Sequence, residues 1–164
     1  MKYFSIAGIL ALTMYLLIPS SAIIAKEYNY DVTIYRDYWG VPHIYGIKDS
    51  DTAFGLAYAH AEDDFETIQD VLLALRGNLA SVKGKDSAPV DYLVGMLKVW
   101  DTVNSKYETD LSEDIRQVCE AYADGINLFI EKNPKLAINQ LYPVTGKDIV
   151  AGFVFRTPLM FDFD

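Results

Sequence analysis

The stretch TIYRDYWGVPHIYGIKDSDTAFGLAYAHAEDD, residues 33–64, decides the fold of this chain. Together with the residues just before it, it starts with an alternation of β-branched and aromatic residues, which predicts a strand over residues 30–36. A turn follows at Gly40, because glycine accepts the positive φ that tight turns need. Residues 41–45 form the returning strand. The stretch therefore predicts an N-terminal β-hairpin.

A long amphipathic helix is predicted to follow the hairpin. Asp49, Ser50 and Asp51 are candidates for its N-cap, and Gly77 marks its end. Apolar residues recur between them at spacings near 3.6, as they do on the buried face of a helix. The predicted core-facing residues are Phe54, Leu56, Ala57, Ala61, Phe65, Ile68, Val71, Leu72 and Leu75.

The remainder of the chain predicts more helices. Residues 78–89 read as a loop, residues 91–100 as a short helix, and residues 112–132 as a long helix. A last helix is expected to start at Thr145, whose pairing with Asp148 is a capping-box pattern, and to run to about Arg156. Pro158 is expected to break it.

The predicted fold class is α+β, with one N-terminal hairpin followed by mainly helices. Two strands alone make a marginal sheet. We therefore expect the hairpin to need partner strands that this chain does not contain, as part of a larger α+β body.

Composition limits the classes of function. The chain has 164 residues, 51% of them hydrophobic, and a formal net charge of −9. This length suits one domain or a piece of one, with enough apolar residues for a sizeable core. Nucleic-acid binding is not expected, because it needs clustered Lys and Arg, which the sequence lacks.

The first residues resemble a targeting segment. Lys2 is followed by an apolar run at residues 6–18 that is too short to span a bilayer with ease. We expect a signal peptide over residues 1–22, cleaved after Ala22 or, less favourably, after Ala25. An uncleaved N-terminal anchor is the alternative. The mature protein is then expected to be periplasmic or secreted, with no stable membrane span.

Candidate chemistry within the chain is sparse. The sequence shows no nucleophile elbow, Walker loop, dinucleotide fingerprint or H-E-x-x-H motif. His60 precedes the acidic residues 62–64, which would allow a metal or acid–base site. Solvation of these acids, or their pairing with Arg36 or Arg76, is favoured, because the run lacks the usual spacing of metal ligands. A structural role is likewise favoured for His43.

Cys119 is the single cysteine of the chain, so it cannot form an internal disulfide. It lies among apolar residues at helical spacing and is followed by Glu120. A reactive thiol needs a positive neighbour instead. We therefore predict a buried, unreactive thiol.

Four motifs together resemble the penicillin acylase family of N-terminal-nucleophile hydrolases. They are IYRDYWGVPHI (residues 34–44), AFGLAYAHAED (53–63), RGNLA (76–80) and AYADGIN (121–127), in the order of the family. The resemblance identifies residues 23–164 as an α-chain-like region. It implies the α-chain part of a four-layer αββα sandwich, completed by a β chain.

The resemblance also implies how the chemistry is divided. In this family the precursor cuts itself, and a serine at the start of the β chain becomes the nucleophile. No catalytic residue is therefore carried over to this chain. No cofactor or metal is expected in it either. Some family members bind calcium, but the corresponding glutamate would lie beyond Asp164.

The end of the α chain gates the acyl-binding pocket in this family. The resemblance therefore implies that Phe153, Thr157, Met160 and Phe161 bind substrate. Pro158 and Met160 depart from the pattern of penicillin G acylases, which argues against phenylacetyl specificity. The alternative is that these residues are core helix packing.

These features lead to two hypotheses. In the first, the chain is the α-subunit portion of an exported amidase that hydrolyses a small N-acyl substrate of β-lactam side-chain, acyl-homoserine-lactone or lipopeptide type. In the second, it is a truncated, catalytically inactive paralogue that acts as a binding module or is a remnant.

Overall fold

The computed structural model describes residues 26–161, so the predicted signal peptide lies outside the described residues. In these residues an N-terminal hairpin precedes six helices, as the α+β prediction required. No helix in residues 26–161 is long and apolar enough to cross a bilayer. The elements are β1 (Val32–Arg36), β2 (Pro42–Gly46), α1 (Asp49–Leu75), α2 (Leu79–Lys83), α3 (Ala88–Met96), α4 (Val99–Lys106), α5 (Glu113–Lys132) and α6 (Gly146–Met160), with 3-10 turns at Lys85–Ser87, Pro134–Leu136 and Asn139–Leu141.

The hairpin forms as predicted, with β1 antiparallel to β2 and Ile34 opposite Ile44. Its turn is organised by Asp37, whose Oδ1 accepts from the backbone nitrogens of Trp39 (2.9 Å) and Val41 (3.0 Å). Gly40 takes a φ of +81°, a conformation that other residues rarely adopt. Local turn chemistry thus sets the strand register.

The main core lies where α1 packs against α5. The cluster contains Ala57, Phe65 and Leu72 of α1 together with Ile126 and Phe129 of α5. Helix α5 begins after its N-cap Ser112, and α1 ends before Gly77, as the sequence predicted.

Seven of the nine predicted core residues of α1 are buried, and two are not. Leu56 and Val71 are 48% and 49% exposed. They flank the apolar stripe of α1, which is wider than the surface that α5 covers. The prediction was wrong for these two because apolar periodicity identifies the apolar face of a helix but not how much of that face another element covers.

The helices cross closely at Gly125 of α5. A Cβ placed there would lie 2.3 Å from the backbone oxygen of Phe54 and 2.8 Å from the Cβ of Ala57. Glycine is therefore required for the distance between α1 and α5.

The prediction of a loop over residues 78–89 was wrong. Helix α2 occupies residues 79–83, and α3 begins at Ala88 with Pro89 in its first turn. The backbone nitrogens of Leu79 and Ala80 donate to the carboxylate of Asp91 at 2.8 and 2.9 Å. This side chain caps α2 from 11 to 12 residues away, so local sequence patterns do not reveal the helix.

The single helix predicted over residues 91–100 is also wrong. The chain forms α3 and α4 instead, and Lys98 between them has a φ of +50°. Trp100 is thereby placed in α4, where its Nε1 donates to the backbone oxygen of Leu75 over 2.7 Å. The break lets α4 pack beside α6 in a second small core around Val103 and Ala151.

Pro158 does not break α6, which continues to Met160. Proline lacks an N–H and crowds the carbonyl four residues earlier, but here it lies in the last turn, where little helix remains to be disrupted. The Oγ1 of Thr157 donates to the backbone oxygen of Phe153 over 2.7 Å and supports that turn. The predicted end at Arg156 was therefore four residues short.

Replacing Gly125 with alanine tests the close crossing of α1 and α5. The added methyl cannot fit between Phe54 and Ala57, and overpacking of this kind costs about 1–3 kcal/mol. Gly95→Ala is the matched control, because a Cβ at Gly95 of α3 meets nothing within 4 Å. In urea unfolding we expect Gly125→Ala to be destabilised and Gly95→Ala to be neutral or stabilised by about 1 kcal/mol. Equal stabilities of the two variants would show that the distance between α1 and α5 does not require glycine at position 125.

Candidate functional site

An apolar groove of about 960 Å³ runs between α1, α5 and α6. Its walls include Ile68 and Val71 of α1, Val118 of α5, and Ile149 and Phe153 of α6. Pockets for small molecules usually have volumes of about 300–1,000 Å³ and mainly apolar walls. The groove therefore has the size and chemistry of a binding site for an apolar group. Val71, which was predicted to be core, is one of its walls.

Three of the four residues predicted to bind substrate lie on the second half of α6, and Phe161 follows the last residue of the helix. Phe153 and Met160 line the groove and are 69% and 65% exposed. Thr157 and Phe161 are also exposed but do not line it. The structure thus brings two of the four to the groove. Substrate binding by these residues and their packing as core both remain predictions.

Some polar groups along the groove walls have partners within the chain, whereas Arg156 of α6 also lines the groove and is exposed. His60 Nδ1 lies 2.8 Å from the hydroxyl of Tyr122, and Arg76 pairs with the buried carboxylate of Asp148. Burial raises the pKa of Tyr122, so its hydroxyl stays neutral. A polar group that already has a hydrogen-bond partner does not need one from a ligand. The groove walls are therefore mainly apolar, with Arg156 as an exposed cation among them.

Cys119 lines the same groove and is only 6% exposed, which confirms the prediction of a buried thiol. Burial raises the pKa of the thiol, and the nearby charge of Glu120 raises it further. At neutral pH the thiol is therefore protonated and a poor nucleophile.

Two of the three acidic residues after His60, Glu62 and Asp63, bind Arg36, which is one of the pairings that the sequence favoured. The guanidinium lies 3.0 Å from Glu62 and 2.9 Å from Asp63. It also donates to the backbone oxygens of Ala59 (3.4 Å) and Gly40 (2.9 Å). The hydrogen bonds that Arg36 donates to Asp63, and then to Glu62, raise the pKa of its guanidinium. Arg36 thus holds the hairpin onto α1.

The other arginine considered for these acids, Arg76, binds Asp148 instead. Within residues 26–161, no group of three or more His, Cys, Asp or Glu side chains is arranged to hold a metal ion. His43 lies 3.2 Å from Asp37, and this hydrogen bond lowers the pKa of the Asp37 carboxyl. His43 is thus part of the turn of the hairpin.

Sequence reasoning did not find the pairing of Arg76 with Asp148. The capping-box pattern singled out Asp148, and a family-like motif contained Arg76. Seventy-two positions separate them, so no spacing rule connects the two signals.

A sequence model of the family described as penicillin amidase matches residues 31–155. The chain belongs to the penicillin amidase family. Penicillin G acylase of Escherichia coli is one similar protein. It is 26% identical to this chain over 126 residues, which cover 75% of this chain and 15% of the acylase. Acyl-homoserine lactone acylase QuiP of Pseudomonas fluorescens (strain Pf-5) is 30% identical over 100 residues, covering 61% of this chain and 12% of the relative.

The fold has a match among solved structures. A thermostable penicillin G acylase from Alcaligenes faecalis superposes with a TM-score of 0.62 at 24% identity, covering 82% of this chain and 75% of that one. By contrast, this penicillin amidase family member spans only 12–15% of the length of the curated relatives named above.

The reactivity of Cys119 tests the burial of the groove wall. At pH 8 we expect the folded chain to react with Ellman's reagent at least about ten-fold more slowly than the chain unfolded in urea, since the thiol is buried and its thiolate is scarce. Because the pKa of the folded thiol is raised, its rate should still increase as the pH rises from 8 to 10. Equal rates for folded and unfolded chains would show that the thiol is exposed.

Proposed function

We propose that this chain is the α-chain portion of an exported amidase that hydrolyses an N-acyl amide bond. The observation that carries the proposal is the match of residues 31–155 to the penicillin amidase family, in a chain whose last helix borders an apolar groove. Its relatives include proteins named as penicillin acylases and as acyl-homoserine lactone acylases. Hydrolysis of an acyl amide is the chemistry those names share.

The nucleophile in this proposal belongs to a second, β chain. A serine at the start of that chain attacks the amide carbon through its hydroxyl oxygen, and its own α-amine takes the proton. The protonated α-amine then gives this proton to the amide nitrogen, the C–N bond breaks and the amine product leaves. Water then hydrolyses the acyl-enzyme ester. Hydrogen-bond donors stabilise the oxyanion formed in each step. One relative is named a proenzyme, which is consistent with a precursor that is processed into two chains. The proposed chemistry needs no cofactor.

The hairpin supports a partner chain. Within residues 26–161 the sheet has only two strands, so each strand has one edge without a neighbouring strand. Unpaired edges are templates for further strands. Tyr35, Tyr45 and Ile47 are also 60–81% exposed on the hairpin and after it. A β chain that adds strands to this sheet would satisfy the edges and cover these side chains.

The role proposed for this chain is to form the pocket for the acyl group. Phe153 and Met160 line the groove, Thr157 lies on the same half of α6, and Phe161 directly follows the helix. The mainly apolar walls, which include the neutral Met160, favour an apolar acyl group, and Arg156 is an exposed cation among them. A β-lactam side chain, an acyl-homoserine lactone or a lipopeptide would each supply such a group.

Export to the periplasm or beyond is also proposed. The support is the N-terminal sequence, in which Lys2 precedes the apolar run at residues 6–18. This pattern is typical of a signal peptide.

Activity should require both chains. We expect purified residues 23–164 alone to give no turnover of N-acyl amides or acyl-homoserine lactones. The same segment produced with the downstream β-chain region of its precursor should be active. Turnover by the isolated segment would contradict the need for a β chain. The absence of activity in the complete protein would favour the inactive paralogue.

Truncating the groove residues of α6 tests the proposed pocket. In the two-chain protein, Phe153→Ala and Met160→Ala should each raise KM for a long apolar N-acyl substrate about ten-fold, since each loses about 1.5 kcal/mol of apolar contact. Tyr92→Ala is the control, because Tyr92 on α3 is equally exposed and lies outside the groove. Unchanged KM values for both α6 variants would show that Phe153 and Met160 do not contact the acyl group.

A further inference from the structure

Arg76 and Asp148 form a two-pronged ion pair between the end of α1 and the start of α6. The Nε of Arg76 donates to Oδ1 over 2.8 Å, and its Nη2 donates to Oδ2 over 2.9 Å. The guanidinium also donates to the backbone oxygens of Leu141 (2.8 Å) and Pro143 (3.3 Å). One side chain therefore joins α1, the connection that precedes α6, and α6 itself.

Asp148 has a second task at the same place. Its Oδ2 accepts from the backbone nitrogen and from the Oγ1 of Thr145, each over 2.9 Å, and so caps the first turn of α6. The residue is only 2% exposed. A buried carboxylate needs its cation, so Asp148 cannot move away from Arg76 without losing stability. The pair therefore fixes both the position and the starting direction of α6.

The direction of the rest of α6 follows from this start and from the packing of Val150 and Val154 in the small core beside α4. After Asp148, Ala151 is the one buried residue that the helix retains among those described, whereas Phe153 and Met160 are exposed beside the groove. Twelve residues of helix span about 18 Å, so a tilt of about 10° at Asp148 would move Met160 by about 3 Å. A displacement of about 1 Å is already enough to alter catalysis when a group positions a substrate.

We propose that Arg76 and Asp148 are positioning residues that set where α6 presents Phe153 and Met160, and thereby which acyl groups the groove accepts. Neither side chain needs to touch the reacting atoms. The planar guanidinium fork matters as well as its charge, because lysine cannot make both bonds to the carboxylate while reaching two carbonyls. This role rests on the proposed amidase function.

The test uses the complete two-chain protein with a series of N-acyl substrates that differ only in acyl length. Arg76→Lys keeps the charge and loses the fork, whereas Asp148→Asn keeps the shape and loses the charge. The control is Lys83→Met, which removes a cation paired with Glu66 and Asp70 at the surface, away from the groove.

The expected result is a change of selectivity. In Arg76→Lys and Asp148→Asn, the ratio of KM for the longest substrate to KM for the shortest should change by at least about five-fold, while kcat on the shortest stays within about two-fold. Lys83→Met should leave the ratio unchanged. A pair that merely stabilised the fold would lower activity on all substrates equally, and that outcome would overturn the proposal.

A second measurement separates this inference from the proposed function. Trp100 packs in the same small core as Val150 and Val154 of α6, so its fluorescence reports the placement of that helix. In the 164-residue chain carrying Trp39→Phe, Arg76→Lys should shift the emission of Trp100 while far-UV circular dichroism stays unchanged. An unshifted emission would overturn the positioning role. Absence of activity in the unmodified two-chain protein would overturn the amidase proposal alone.

Discussion

The close crossing of α1 and α5 is the constraint on which the rest of the structure depends. At Gly125 the backbone of α5 approaches the backbone oxygen of Phe54 so closely that no side chain fits between them. Above this contact, the hairpin lies on α1 and is held there by Arg36. Below it, Asn127 of α5 bonds both backbone groups of Val144 and so fixes the approach to α6. A change in the distance between the two helices would displace both ends of the molecule.

The apolar groove follows from the way in which α6 is attached. Its first turn is held from α1 by Arg76 and from α5 by Glu120, whose carboxylate accepts from the backbone nitrogen of Gly146 over 3.0 Å. The second half of the helix has few buried residues and extends beside α1 and α5 without closing on them. The walls consequently stay mainly apolar and partly exposed, which is costly in an isolated protein and useful at a binding site or an interface.

The predictability of each element reflects how local its determinants are. The hairpin, α1 and α5 were predicted because turn residues, caps and apolar periodicity lie within the elements themselves. Helix α2 was missed because its cap, Asp91, comes from the following helix, and the extent of α6 was misjudged because Pro158 falls in its last turn. The groove could be predicted only in part. The family resemblance indicated Phe153 and Met160, but the walls come from three helices far apart in sequence, as does the pairing of Arg76 with Asp148.

The central claim is that a second chain completes this one at the open edges of its hairpin. Hydrogen–deuterium exchange of residues 23–164, measured alone and in the complete two-chain protein, tests it most directly. The account predicts that backbone amides of β1 and β2 exchange at least about ten-fold more slowly in the two-chain protein, because strands added to the sheet protect them. Exchange at the same rate in both preparations would contradict it.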